Sequence, residues 1–338
     1  MRIHYNVSPM TKPSEYRAPR WLPGGHFQTI HAAKLVHPPH VNYWRERWET
    51  PDFDFIDLDW VDNPAHELAL DQQDPAPLVV LFHGLEGNSN SHYARSLMHA
   101  VDARGWHGVV VHFRGCSGEL NRLPRAYHSG DSTEIDWILR RLRSTRRSPI
   151  YATGVSLGGN ALLKWLGEQG DQAHKVITRA AAISAPVDLA AAGDALGRGF
   201  NMIYTRNFLA TMKAKTLAKM RRYPALCDKR SMQAARTLRE FDNIVTAPLH
   251  GFRDTDDYWA RASSKPHLKN IAVPTLLLNA RNDPFLPDTA LPAHDELSPA
   301  ITAEFPCDGG HAGFVTGPFP GRHTWLAQRV FAHIEQHL

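Results

Sequence analysis

The apolar runs Leu78–Phe82, Val109-Val110-Val111 and Thr275–Leu278 are short and almost free of polar residues. A strand with one wet face alternates, whereas a continuous apolar run suits a strand buried on both faces. Such strands occur in parallel sheets covered by helices. Between the runs, apolar residues recur at helical spacing over 94–103, 132–142, 161–168 and 324–337. This strand–helix alternation predicts an α/β architecture with a doubly wound, mostly parallel sheet. Residues 53–60 alternate instead and read as a half-exposed antiparallel strand. A chain of 338 residues, 43 % of them hydrophobic, can bury one large core, and no Gly/Ser linker divides it.

The pentapeptide Gly154-Val155-Ser156-Leu157-Gly158 lies between a short β-like run and an amphipathic helix. In that setting G-x-S-x-G is a nucleophile elbow, a turn so tight that the serine is strained and held above the sheet. A serine hydroxyl needs a base, and the base needs a group that fixes its tautomer. Asp283 follows the run 273–280, placing it in the loop at the carboxyl end of a strand. His311 follows the strand-like 301–306 through Cys307-Asp308-Gly309-Gly310. Asp308 is nearer to His311 in sequence, but three residues ahead in the same turn its carboxylate should not reach Nδ1. Asp283 is therefore the expected acid. For the oxyanion, the amide of Leu157 follows the nucleophile, and Gly84 in His83-Gly84-Leu85 should aim the Leu85 amide at the same point.

These residues and several further blocks resemble the YheT-like branch of the α/β-hydrolase superfamily, which also holds eukaryotic ABHD-type lipid esterases. The blocks are Gly25-His26-Phe27-Gln28-Thr29, His83-Gly84-Leu85-Glu86-Gly87, Phe113-Arg114-Gly115-Cys116-Ser117-Gly118, Tyr127-His128-Ser129-Gly130 and the stretch 241–252. They follow the family order from about residue 20 to 325. The resemblance implies an α/β-hydrolase fold, an eight-stranded doubly wound sheet with a helical cap insertion. It also implies Ser156 as nucleophile, Asp283 as acid, His311 as base and a carboxylic-ester hydrolase leaning toward acyl or lipid-like esters.

About 80 residues rich in Lys, Arg, Met and Leu separate 185–188 from 269–270, far more than an ordinary connection. The expected organisation is an N-terminal arm over 1–50, a core over 51–188 and 269–338, and a cap over 189–268. Within the cap, Leu196, Phe200, Met202, Ile203, Tyr204, Phe208, Leu209 and Met212 are expected to line an acyl tunnel while lysines and arginines face water. Phe200 and Met212 are the candidate substrate contacts. His26 and Gln28 read as anchors of the arm, and Arg114 and Asp131 as a pair beneath the pocket.

A net charge of +4 does not argue for nucleic-acid binding, and no basic block is interleaved with stacking aromatics. The arginines of 140–147 read as the solvated end of a helix, with a weak membrane-surface contact left open. Three cysteines make no even disulfide framework, residues 1–8 open no apolar signal segment, and no run approaches about 20 apolar residues. The expectation is a cytoplasmic protein without an integral membrane segment. Cys307 reads as buried at a strand end rather than as a catalytic thiol. Twenty histidines, among them His26, His31, His37 and His40, show no ligand spacing, so no metal is expected. No G-x-G-x-x-G or Walker lysine calls for another cofactor. Three classes stay open at this point: an esterase acting through an acyl-enzyme, an acyltransferase passing the acyl group to an alcohol, and a non-catalytic scaffold. Oligomeric state is not readable from the residues.

Overall fold

The computed structural model describes residues 16–61 and 74–336. Residues 1–15 of the expected arm, and His337 of the last expected helix, lie outside the described residues.

Eight strands form one sheet: β1 Tyr43–Glu49, β2 Phe55–Val61, β3 Leu78–Phe82, β4 His107–His112, β5 Ile150–Val155, β6 Arg179–Ile183, β7 Thr275–Leu278 and β8 Ile301–Glu304. Their order is β1-β2-β4-β3-β5-β6-β7-β8. β1 and β2 pair antiparallel, as do β2 and β4, and every pairing from β4 through β8 is parallel. Helix α1, Gly25–Lys34, precedes the sheet, and α2 His92–Asp102, α3 Ser132–Ser144 and α4 Leu157–Gln169 connect its central strands. The helical segment that follows β6 holds α5 Leu189–Leu196, α6 Met202–Met220, α7 Lys229–Ala234 and α8 Leu238–Phe241. It continues through a π-turn at Asp242–Thr246 into α9 Ala247–Leu249 and α10 Thr255–Ala262. α11, Thr324–Ile334, ends the described chain.

Side-chain alternation along the buried strands makes two cores. Val80 and Phe82 pack with Ile135, Ile138 and Leu139 of α3 and Leu162 and Leu166 of α4 on one face. Val79 and Leu81 pack with Leu97 and Met98 of α2 and Val330 and Phe331 of α11 on the other. Truncating one such leucine to alanine costs about 2–5 kcal/mol, the transfer loss plus the cavity left behind. The helical segment has its own cluster around Leu196, Leu209, Met232, Phe241 and Trp259, closed from outside the segment by Phe285.

Two expectations about the edge of the sheet change. β2 is buried along its whole length rather than on one face. Its polar residues are paired: Arg45 and Arg47 of β1 hold Asp59 and Asp57, Ser89 and His112 reach Asp59, and Ser117 reaches Asp57. A buried carboxylate with this many donors does not force its strand face into water. The stretch read as an arm also supplies β1, so 43–49 belong to the sheet. At the other end of α3, Arg140 is exposed on Asp136, but Arg143 donates to the carbonyls of Val176 and Ser148, and Arg146 is buried. The helix end is thus solvated only in part.

Candidate active site

β5 ends at Val155 and α4 begins at Leu157, so Ser156 alone turns the chain. It does so at φ 54°, ψ −122°, a conformation costing roughly 1–3 kcal/mol for a residue with a Cβ. Two bonds hold it there: Ser156 N–H donates to the Ile183 carbonyl at 2.9 Å, and Asn160 N–H to the Ser156 carbonyl at 3.0 Å. The flanking glycines are required by contact. A Cβ on Gly154 would lie 2.4 Å from the Gly158 carbonyl oxygen, and one on Gly158 would lie 2.3 Å from that of Phe82. Strand and helix can meet this closely only without side chains there.

His311 Nε2 lies 2.9 Å from Ser156 Oγ, and its Nδ1 lies 2.9 and 3.1 Å from the two Asp283 carboxylate oxygens. The carboxylate accepts only, so Nδ1 carries the proton and Nε2 presents its lone pair to the serine hydroxyl. Asp283 is buried, and its Oδ1 also accepts from Phe285 N–H. Phe285 stacks on the imidazole with ring centroids 3.9 Å apart. Asp308 does not reach the ring; its Oδ1 accepts from Gln28 Nε2 at 3.3 Å and Asn282 Nδ2 at 3.0 Å.

α1 locks the histidine loop. Gln28 Oε1 accepts from Gly309 N–H and Asn282 Nδ2, and Thr29 Oγ accepts from His311 N–H at 2.8 Å. Gln28 is thus an anchor on the site itself, while His26 meets Tyr204 of α6 at 3.1 Å. The role of Thr29 escaped the sequence reading, although it lies in the same quoted block.

The loop after β3 is braced from three sides. Buried His83 donates from Nδ1 to the Gly84 carbonyl and accepts Phe113 N–H at Nε2, the bonds of a neutral ring. Burial accordingly pushes its pKa down to about 3. Gly84 N–H donates to the Tyr93 hydroxyl, and Gly84 comes close enough to Ser156 that an added Cβ would sit 3.1 Å from the serine Cβ. Glu86, at φ 56°, donates its N–H to the Tyr127 hydroxyl, which donates back to its carboxylate. Lys215 of α6 completes the clamp at 2.9 Å. Leu85 lies between these fixed points, and the Leu157 amide, first in α4, has no acceptor one turn back within the helix.

Ser156, Leu85 and Leu157 open on a cavity of about 150 Å³, with walls that include Leu196, Phe208, Met212, Trp259 and Phe285. Phe200 does not line it. That side chain is 55 % exposed and lies edge-on to His26, because it sits in the 3-10 turn Gly199–Asn201 ahead of α6, on the outer surface. Met202, Ile203, Tyr204 and Leu209 are likewise absent from the walls. The lysines also depart from expectation, since Lys215 and Lys219 border the cavity rather than face water. Lys219 donates to the Leu123, Pro124 and Arg125 carbonyls, and burial lowers its pKa to about 8. Three carbonyls satisfy its three N–H groups, so the ammonium can be buried without a carboxylate. Arg114 binds Asp52, Asp54 and Glu134 instead of Asp131, which pairs with Arg125. Cys307 is exposed in the turn after β8. Among the described residues no group of three His, Cys, Asp or Glu side chains could hold a metal, and no helix is long and apolar enough to cross a membrane.

Residues 77–318 match the family model described as the alpha/beta hydrolase fold. The chain is 40 % identical over 291 residues to "Putative esterase YheT" of Escherichia coli (strain K12), covering 85 % of this chain and 83 % of that one. It is 30 % identical over 319 residues to human "Phospholipase ABHD3", covering 94 % and 77 %. The esterase Pf2001 of Pyrococcus furiosus superposes with a TM-score of 0.54 over 89 % of this chain and 97 % of that one, at 13 % identity, a likeness of fold.

Proposed function

The chain belongs to the α/β-hydrolase family, and from that premise we propose that it is a serine-dependent carboxylic-ester hydrolase working through an acyl-enzyme. The observation that carries the proposal is the unbroken line from the Asp283 carboxylate through His311 to Ser156 Oγ, with both hydrogen-bond steps at 2.9 Å. Ser156 Oγ attacks the ester carbonyl carbon as its proton passes to His311 Nε2, and the carbonyl oxygen takes the charge. The Leu85 and Leu157 amides are the donors assigned to that oxyanion. Collapse expels the alcohol, which leaves with the proton from Nε2. Water then attacks the acyl-enzyme by the same relay, releasing the acid and restoring Ser156.

The largely apolar walls favour short- to medium-chain acyl or lipid-like esters, and the YheT and ABHD3 likenesses point the same way. Residues 189–268 serve in this reading as a cap on the core formed by 51–188 and 269–338. A fluorophosphonate should label the wild type and not Ser156→Ala, and that variant should lose roughly 10⁴-fold or more in kcat while keeping its circular dichroism. Near-native turnover by folded Ser156→Ala would end the proposal. Across p-nitrophenyl esters, kcat/KM should rise up to about fourfold per methylene until the cavity is full. Met212→Trp should shorten the preferred chain and spare the acetyl ester. A flat profile would redirect the search to small polar esters. Capture of the acyl group by an added alcohol in preference to water would keep the acyl-enzyme and make the protein an acyltransferase.

A further inference from the structure

Three stretches of this chain contain no acidic residue: 17–45, 195–227 and 309–334. An even spread of the chain's 34 Asp and Glu would place about nine in those 88 residues. They carry 13 Lys and Arg, so the three stretches are +13 and the rest of the chain is −9. The fold brings them together on the His311 side of the site. α1 from the first stretch touches α6 and the turn ahead of it from the second, through His26 on Tyr204 and Phe200. The first stretch also touches the loop after His311, through Trp21 on the Gly317 carbonyl and His31 on that of Pro320.

The same three stretches supply six of the seven large hydrophobic side chains exposed among the described residues: Phe27, Leu35, Trp44, Phe200, Ile203 and Phe319. Phe27 is 68 % exposed and Phe319 74 %. Arg17, Arg20, Lys34, Arg206 and Arg322 are exposed on them as well, and exposed Arg198 pairs with Asp194 at 3.5 Å. Other cations of these stretches are used internally, Arg45 on Asp59, Lys215 on Glu86 and Arg329 on Glu304. A stack of rings ties the face to the base: Phe285 covers His311, Tyr204 meets Phe285 at 4.8 Å, and His26 lies against Tyr204.

We propose that this face, centred on α1 and the start of α6, docks on an anionic lipid bilayer. Aromatic and aliphatic side chains that stand in water are matched by the acyl-headgroup boundary, and cations free of nearby acids are matched by anionic headgroups. Nucleic acid would satisfy the charge but would leave Leu35 and Ile203 unmatched. The binding does not rest on the chemistry assigned to Ser156.

The test is co-sedimentation of the full chain with phosphatidylcholine vesicles and with vesicles containing about 30 % phosphatidylglycerol, at about 0.05 M and 0.5 M salt. Partition should be about tenfold stronger on the anionic vesicles and should fall at high salt. Phe27→Ser with Ile203→Ser, and separately Lys34→Glu with Arg206→Glu, should each weaken it about tenfold without changing p-nitrophenyl acetate turnover in vesicle-free buffer. Ser156→Ala should bind as the wild type does, which separates this proposal from the esterase reading. Equal binding by the surface variants, no preference for anionic vesicles, or binding to duplex DNA but not to vesicles would overturn it. So would a dimer in sedimentation velocity that Phe27→Ser dissociates, since the face would then cover a second copy.

Discussion

Asp283 and Asp308 flank the same histidine, and only their surroundings tell them apart. Asp283 is buried with one oxygen on Phe285 N–H and both facing Nδ1, while Asp308 is occupied by Gln28 and Asn282. An amide at position 283 can donate to Nδ1, which turns the imidazole to the tautomer that cannot take the serine proton. Asp283→Asn should therefore lower kcat/KM by roughly 10³- to 10⁴-fold, against less than about tenfold for Asp308→Asn. Steady-state kinetics on one soluble ester decide it, and the opposite ranking would move the acid to Asp308. The distinction could be made from sequence because Asp308 precedes His311 by three residues in one turn, a local geometric limit. Phe200 and Met212 allowed no such argument. Helical spacing does not show how α6 is rotated on the core or where the turn ahead of it points; that turn leaves Phe200 outside, and α6 brings Met212 to the cavity.

Elements were legible where one local rule governed them. Unbroken apolar runs marked β3, β4 and β7, and the elbow glycines marked the β5–α4 junction, since both follow from burial and contact within a few residues. What stayed hidden depends on partners far along the chain: the arginines that bury β2, and the ion pair between Lys215 of α6 and Glu86 of the loop after β3. That ion pair has a consequence at this scale. Glu86 follows Leu85 directly and sits at positive φ, so the clamp from α6 and Tyr127 fixes where the Leu85 amide points. Lys215→Met leaves a buried carboxylate without its cation, a loss of about 1–3 kcal/mol. It should lower kcat by about tenfold with KM for a short ester little changed. Restoring neutrality with Glu86→Gln in the Lys215→Met background should recover part of that loss. Additive effects of the two substitutions would show that the pair does not position the loop.

At the scale of the whole molecule, buried histidines set the response to acid. Burial pushes His83 down to about 3 and His92, His128 and His333 down to about 4, whereas the unfolded chain takes up these protons near an ordinary value of about 6.5. Above that value the four rings are neutral in both states and contribute nothing to the pH dependence. As pH falls from about 6.5 toward 4 the unfolded state gains protons that the folded state cannot, so stability falls by about 1.4 kcal/mol per pH unit for each ring. Two carboxyls work in the opposite sense. Burial pushes Asp242 up to about 6 and raises Glu134, so the folded state protonates these first and gains stability over part of the same range. Burial lowers His267 and His323 as well, so the rings outnumber the two carboxyls and stability falls on balance as pH drops below about 6.5. Each net proton is worth about 1.4 kcal/mol per pH unit, a large fraction of a total stability on the order of 5–15 kcal/mol. Urea midpoints measured at falling pH should drop steeply below about 6.5. A midpoint that held constant down to pH 5 would mean that these imidazoles take up protons inside the fold, and the neutral brace assigned to His83 would have to be withdrawn.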